Sequence, residues 1–163
     1  MIRGVKITDA KELCEIFNHY VLNSIATFVE TPLTVHEMEH KIRHVTEKYP
    51  WLVYEEEGAV IGYTYASEWN VRSAYKKSVE TTVYLKNGTQ KKGMGTQLYT
   101  RLIDMVQSQG YHVMVGGISL PNEASQHLHE KLGFVKAAHY KEIGFKFNRW
   151  IDVGYWQLIL QEK

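Results

Sequence analysis

Gly93 and Gly95 stand two residues apart, directly after the strand-like Val83-Tyr84-Leu85 and the basic loop Gln90-Lys91-Lys92. The first N–H groups of a helix have no intrahelical partner, and with the partial positive charge of that terminus they attract anions. Glycine lets a phosphate approach the backbone. Lys91 and Lys92 add positive charge at the rim, and Met94 and Thr96 complete the first turn. A pyrophosphate is the expected guest. No Gly-Lys-Ser/Thr follows, so the turn is not a nucleotide P-loop, and it lacks the third glycine of a dinucleotide fingerprint. Taken alone, the glycine pair also fits a plain tight turn.

Two ionisable residues stand out. Glu80 sits among Val79, Val83 and Leu85 in a strand rich in β-branched residues, where partial burial would raise its pKa. Strand alternation puts it on one face with Thr82 and Tyr84. A salt-bridged or exposed strand glutamate is the structural alternative. His129, in Leu128-His129-Glu130, carries an imidazole able to give or take a proton near neutral pH. Its structural alternative is a helix-surface histidine, the reading given to His127. His36, His40 and His44 recur every four residues and read as a solvated helix face. No metal site is expected, and the lone Cys14 excludes an intrachain disulfide or a multi-cysteine cluster.

These residues need a scaffold. With 163 residues, 44% hydrophobic, the chain suits a single domain over 1–163. Nineteen Lys+Arg against eighteen Asp+Glu leave a formal charge of +1, so no broad basic field marks a nucleic-acid binder. No stretch has the length of a membrane span, and Met1-Ile2-Arg3-Gly4 opens no signal-like apolar run. A soluble cytoplasmic protein is expected.

Strand patterns cover Ile2–Ile7, Trp51–Glu55, Ala59–Ser67, Val79–Leu85, Val113–Ile118, Val135–Lys141 and Trp150–Leu160. Glu57-Gly58 reads as a hairpin turn. Asp9 and Glu12 have capping-box spacing ahead of Leu13, Ile16, Phe17, Tyr20 and Val21 at helical intervals. Thr34 and Glu37 repeat the signal before Met38, Ile42 and Val45. A third helix starts at Gly93, buries Leu98, Leu102, Ile103 and Val106, and stops at Gly110. A fourth spans Ala124–Leu132 and ends at Gly133. This order predicts an α/β fold: a mixed central sheet with helices on both faces.

At this point the motifs carry a resemblance. Gln90-x-x-Gly93-x-Gly95 resembles the acyl-coenzyme A signature of GNAT-superfamily N-acetyltransferases. Leu120-Pro121-Asn122, Ser125 and Leu128-His129-Glu130-Lys131-Leu132-Gly133-Phe134 are similar to the block that follows the coenzyme strand in that superfamily. Ser24–Phe28, Tyr49–Val53, Trp69–Tyr75, Val79–Tyr84 and Trp150–Val153 resemble the phosphinothricin/methionine sulfoximine acetyltransferase branch. Asn70 departs from that branch, which often carries a basic residue there.

The resemblance implies a GNAT fold and acetyl-CoA as co-substrate. The acceptor it implies is the α-amine of methionine sulfoximine, methionine sulfone, phosphinothricin or a related L-amino acid. It makes Glu80 the general base, and it puts His129 where many GNAT enzymes have a tyrosine that protonates the departing thiolate. Main-chain groups of Val83, Tyr84 and Leu85 would hold the pantetheine and the oxyanion. Lys91, Lys92, Gly93, Met94, Gly95 and Thr96 would hold the pyrophosphate, with Asn122 and Ser125 beside the coenzyme arm. Phe28, Arg72, Ser73 and Tyr75 would receive the acceptor, the arginine fork binding its acid group. Transfer would be direct, since Cys14 is remote in sequence from the motif. The branch forms homodimers, with Phe147 and Trp150 reaching toward the partner. Alternatives are an acetyltransferase for aminoglycosides, polyamines or protein N-termini, and a silent acyl-CoA sensor.

Overall fold

The computed structural model describes residues 1–89 and 92–161. Seven strands, β1 (Ile2–Gly4), β2 (Trp51–Glu56), β3 (Ala59–Glu68), β4 (Ser78–Leu85), β5 (Val113–Ser119), β6 (Val135–Lys146) and β7 (Arg149–Ile159), form one sheet. Four helices accompany them: α1 (Ala10–Asn23), α2 (Val35–Thr46), α3 (Met94–Ser108) and α4 (Glu123–Lys131). The sheet order is β1-β2-β3-β4-β5-β7-β6. β4 and β5 run parallel, and every other neighbouring pair is antiparallel.

Helices lie on both faces, as the interleaved order requires. Leu13, Phe17 and Val21 of α1 and Met38 and Ile42 of α2 pack on Trp51, Val53, Tyr63 and Tyr65. On the opposite face Leu98, Tyr99, Leu102 and Val106 of α3 meet Leu52, Val79, Met114, Ile118 and Trp156. Strand alternation divides Trp51 and Leu52 between the two cores. Among the described residues, no helix is long and apolar enough to cross a membrane.

Several expectations need correction. The first strand ends at Gly4, and Ile7–Asp9 forms a 3-10 turn. Asp9 makes no capping box with Glu12. Its carboxylate is held by Arg3 at 2.8 and 2.9 Å and by the Lys6 N–H at 2.7 Å, because a nearby guanidinium competes better than a helix amide. Glu12 instead accepts from the Val60 N–H at 2.9 Å. The Thr34/Glu37 box does form. Glu57 and Gly58 turn the hairpin with φ of 50° and 81°. β6 continues to Lys146, beyond the expected Lys141, because register shifts at Lys136/Ala138 and Tyr140/Gly144 break its alternation. Asp152 pins the second shift by accepting from the Glu142 N–H at 2.8 Å.

Candidate active site

The site begins where two parallel strands part. β4 and β5 pair only at Ser78–Val113, Val79–Met114 and Glu80–Val115. Beyond Glu80 the edge of β4 faces a cavity of about 630 Å³ instead of a strand. Residues 80–85 of β4, residues 117–119 at the end of β5, the start and inner face of α4, and Tyr20 with residues 24–27 line it. At the far end the Tyr20 hydroxyl donates to the Leu85 carbonyl at 2.6 Å. Val83, Tyr84 and Leu85 thus line the cavity where their main chain could serve a ligand.

Glu80 occupies the fork itself. It is half-buried, and among the described residues no side chain hydrogen-bonds or ion-pairs with its carboxylate. Burial alone raises its pKa above the ordinary value. Tyr84, Tyr99 and Tyr155 lie near enough to feel its charge. Burial, followed by smaller contributions that include Glu80, pushes their hydroxyl pKa values up.

His129 is 4% exposed, which excludes the helix-surface alternative, whereas His127 is exposed. Its Nδ1 donates to the Ser125 carbonyl at 2.7 Å, and its Nε2 accepts from the Tyr99 hydroxyl at 3.0 Å. Tyr99 in turn bonds the Thr81 hydroxyl, giving a chain Thr81–Tyr99–His129 from β4 to α4. Burial holds the imidazole pKa below its ordinary value, and the bond to Ser125 opposes this only in part. The ring crosses β5 at Gly116, where a β-carbon would sit 2.4 Å from Nε2. Glycine is required there by close approach.

The amino end of α3 abuts the same cavity. Gly93 is left-handed with φ of 84°, and the first intrahelical bond runs from Gln97 N–H to its carbonyl. The N–H groups of Met94, Gly95 and Thr96 therefore lie outside the helical ladder. A β-carbon on Gly95 would meet Leu128 at 3.4 Å and Leu85 at 3.8 Å, both cavity-lining residues. Met94 is 1% exposed and its side chain belongs to the core, while Lys92 is exposed. Gln90 and Lys91 lie outside the described residues. Asn122 caps α4 by accepting from the Ser125 N–H at 3.1 Å, and both residues line the cavity. Free helix amides beside a long cleft with an unpaired strand edge fit a pyrophosphate joined to an extended thioester arm.

The four acceptor candidates do not gather at Glu80. Phe28 lies beside the cavity wall with its ring over Gly144, where a β-carbon would come within 2.3 Å. Arg72 and Ser73 are exposed in the connection before β4, where Asn70 accepts from the Arg72 N–H at 3.0 Å. Tyr75 lines a second cavity of about 630 Å³ on the sheet, with Trp69, Val115, Tyr140 and Tyr155. The Tyr155 ring lies against Gly117, a lining residue of the first cavity, so it stands between the two.

Sequence reasoning missed Tyr20, Tyr99 and Tyr155 as neighbours of the site. Tyr20 and Tyr155 sit in stripes that read as core or strand, and only their hydroxyls hint at more. A buried tyrosine needs a partner for its O–H, which is the signal Tyr99 carried.

Residues 2–154 match the family described as Acetyltransferase (GNAT) domain. A phosphinothricin N-acetyltransferase of Streptomyces viridochromogenes is 40% identical over 96% of this chain and 85% of its own length. An L-methionine sulfoximine/L-methionine sulfone acetyltransferase of Salmonella typhimurium is 38% identical over 99% of this chain and 95% of its own. The crystal structure of a phosphinothricin acetyltransferase from Sinorhizobium meliloti in complex with AcCoA superposes with a TM-score of 0.95. It is 36% identical and covers 99% of this chain and 89% of that one.

Proposed function

The chain belongs to the GNAT acetyltransferase family, in its phosphinothricin and methionine sulfoximine branch, and from that premise we propose direct acetyl transfer to the α-amine of a small amino-acid-like acceptor. Methionine sulfoximine, methionine sulfone, phosphinothricin and related L-amino acids are the acceptors in view. The observation that carries the reading is the unpaired Glu80 carboxylate at the fork of β4 and β5.

Acetyl-CoA, the co-substrate of this family, supplies the acetyl group as a thioester. The amides of Met94, Gly95 and Thr96, with Gly93 and Lys92, are suited to its pyrophosphate, and the free edge of β4 to its pantetheine. An α-amine has a pKa of about 7.7–8.0 or higher, so at neutral pH most of it arrives as ammonium. Glu80 takes that proton, directly or through one water. Its burial-raised pKa brings it nearer the operating pH, where a base works best. Main-chain N–H groups at the end of β4 hold the negative charge that develops on the carbonyl oxygen. His129 lines the same cleft, backed by the buried Tyr99, and is the residue assigned to protonate the departing thiolate.

Arg72 extends from an exposed loop with no ion pair among the described residues, which leaves its guanidinium free for an acceptor's acid group. Ser73 and Tyr75 follow it in the same connection, and Phe28 borders the first cavity from the strap after α1. Tyr140, Ile143, Phe145, Phe147 and Trp150 form an apolar row 50–63% exposed on the β6–β7 hairpin. We assign it to a second copy of the chain, in a homodimer of single-domain subunits working in the cytoplasm. Light scattering at micromolar concentration should give twice the 18.9 kDa chain mass; a monomer would refute the dimer.

A thiol-release assay tests the activity. Methionine sulfoximine, methionine sulfone, phosphinothricin and free amino acids should release coenzyme A far faster than an aminoglycoside or a polyamine. A reversed preference would overturn the acceptor class, and coenzyme binding without thiol release would reduce the protein to an acyl-CoA sensor.

A further inference from the structure

Lys146 ends β6 and is 2% exposed, yet among the described residues no carboxylate pairs with it. Burying an ammonium costs heavily unless its donors are satisfied. Its Nζ lies 2.7 Å from the Ser24 carbonyl, 2.8 Å from that of Thr27 and 3.4 Å from that of Tyr20. An ammonium has three hydrogens, and three carbonyls receive them. Tyr20 lies in the last turn of α1 and Ser24 caps it, where the helix dipole is negative; the Tyr20 carbonyl also accepts from the Ser24 N–H at 3.0 Å. Thr27 lies in the strap that follows.

That strap walls the cleft. Residues 24–27 line the cavity together with Glu80 and Tyr84, and the Tyr84 hydroxyl donates to the Ala26 carbonyl at 3.4 Å. The neighbouring Phe28 ring closes on Gly144, two residues before Lys146 in the same strand. β6 therefore grips the strap twice, by a cation beneath its carbonyls and by a glycine under its aromatic ring.

We propose that Lys146 is a positioning residue that sets the shape of the acceptor end of the cleft by holding the strap 24–28 against β4. The proposal rests on the proposed function, with Glu80 as the base, and adds that the acceptor enters between this strap and Glu80, which line one cavity. It gives no proton and touches no reacting atom. Its effect is confined to one substrate, because the α3 amides and the α4 wall lie on other elements.

Lys146→Met keeps most of the stem and removes the donors. At saturating acetyl-CoA it should raise the acceptor KM at least tenfold, while the acetyl-CoA KM stays within twofold of the parent. Hydrogen exchange should be at least tenfold faster at the amides of residues 25–29 and unchanged in α3 and α4. An unchanged acceptor KM, a parallel rise in both KM values, or unchanged exchange in the strap would overturn the proposal. If the methionine variant does not fold, Lys146→Gln, with two N–H donors and no charge, is judged by the same criteria. A parent enzyme that acetylates no α-amino acid would sink the acceptor reading alone, and the exchange data would still decide the clamp.

Discussion

Replacing Glu80 by glutamine keeps the shape of the fork and removes only its ability to take a proton. A positioned general base contributes about 10²–10⁴-fold. Glu80 is only partly buried and lines the cleft, so solvent can partly replace it. The expected loss in kcat is therefore near the lower bound, about 10²-fold, or about 2.7 kcal/mol of barrier. Acetyl-CoA affinity should hold, because the α3 amides are untouched. In the parent, kcat/KM should climb as pH passes a Glu80 pKa lying above the ordinary 4.5. In the variant that acid limb should vanish, leaving only the rise with the free-amine fraction. Stability should move the other way. A carboxyl whose pKa is raised on folding favours the folded state while protonated, and that contribution is lost as pH rises through the folded pKa. Glu80→Gln should then raise Tm at pH 7, by about 2–4 °C per kcal/mol relieved, with the gain fading below pH 4.5. Thiol-release rates from pH 5 to 9 and thermal melts at both ends check the two halves. Activity within threefold of the parent would remove Glu80 as the base, and a lower Tm at pH 7 would show that its carboxylate has a stabilising partner.

Gly93→Ala forces a side chain onto a residue at φ of 84°, which costs about 1–2 kcal/mol or turns the following amides away. Calorimetry should show acetyl-CoA binding weakened about tenfold, and parental affinity would separate this turn from the coenzyme. Gly116→Ala puts a methyl 2.4 Å from His129 Nε2, an overpacking worth about 1–3 kcal/mol. Tm should fall and kcat should drop at least tenfold with coenzyme affinity kept; an unchanged kcat would release His129 from any part in turnover. Arg72→Ala, at an exposed position, should leave Tm unchanged and raise KM for acid-bearing acceptors more than for amines without an acid group. Equal changes would mean that Arg72 does not read the acid.

Much of the scaffold was legible because its signals are local. The Thr34/Glu37 box, the Glu57-Gly58 turn and the stripe of α3 each depend on residues within a few positions of one another. The far end of β6 was not, because register shifts break the alternation by which a strand is recognised, whereas its start at Val135 was read correctly. Asp9 misled for a related reason: its spacing to Glu12 was right, but Arg3 captured its carboxylate.

The site divides along the same line. The chain by itself determined that a glycine pair would open a helix with free amides, that Glu80 would share a face with Tyr84, and which family the motifs resemble. It could not tell whether His129 was on the surface or in the core, since that depends on Tyr99 thirty residues earlier and on the bare backbone at Gly116. Nor could it relate Lys146 to Ser24, 122 positions apart. Backbone preferences are written within a few residues, whereas burial, a shifted pKa and the width of a cleft arise only when distant segments exclude water from the same place.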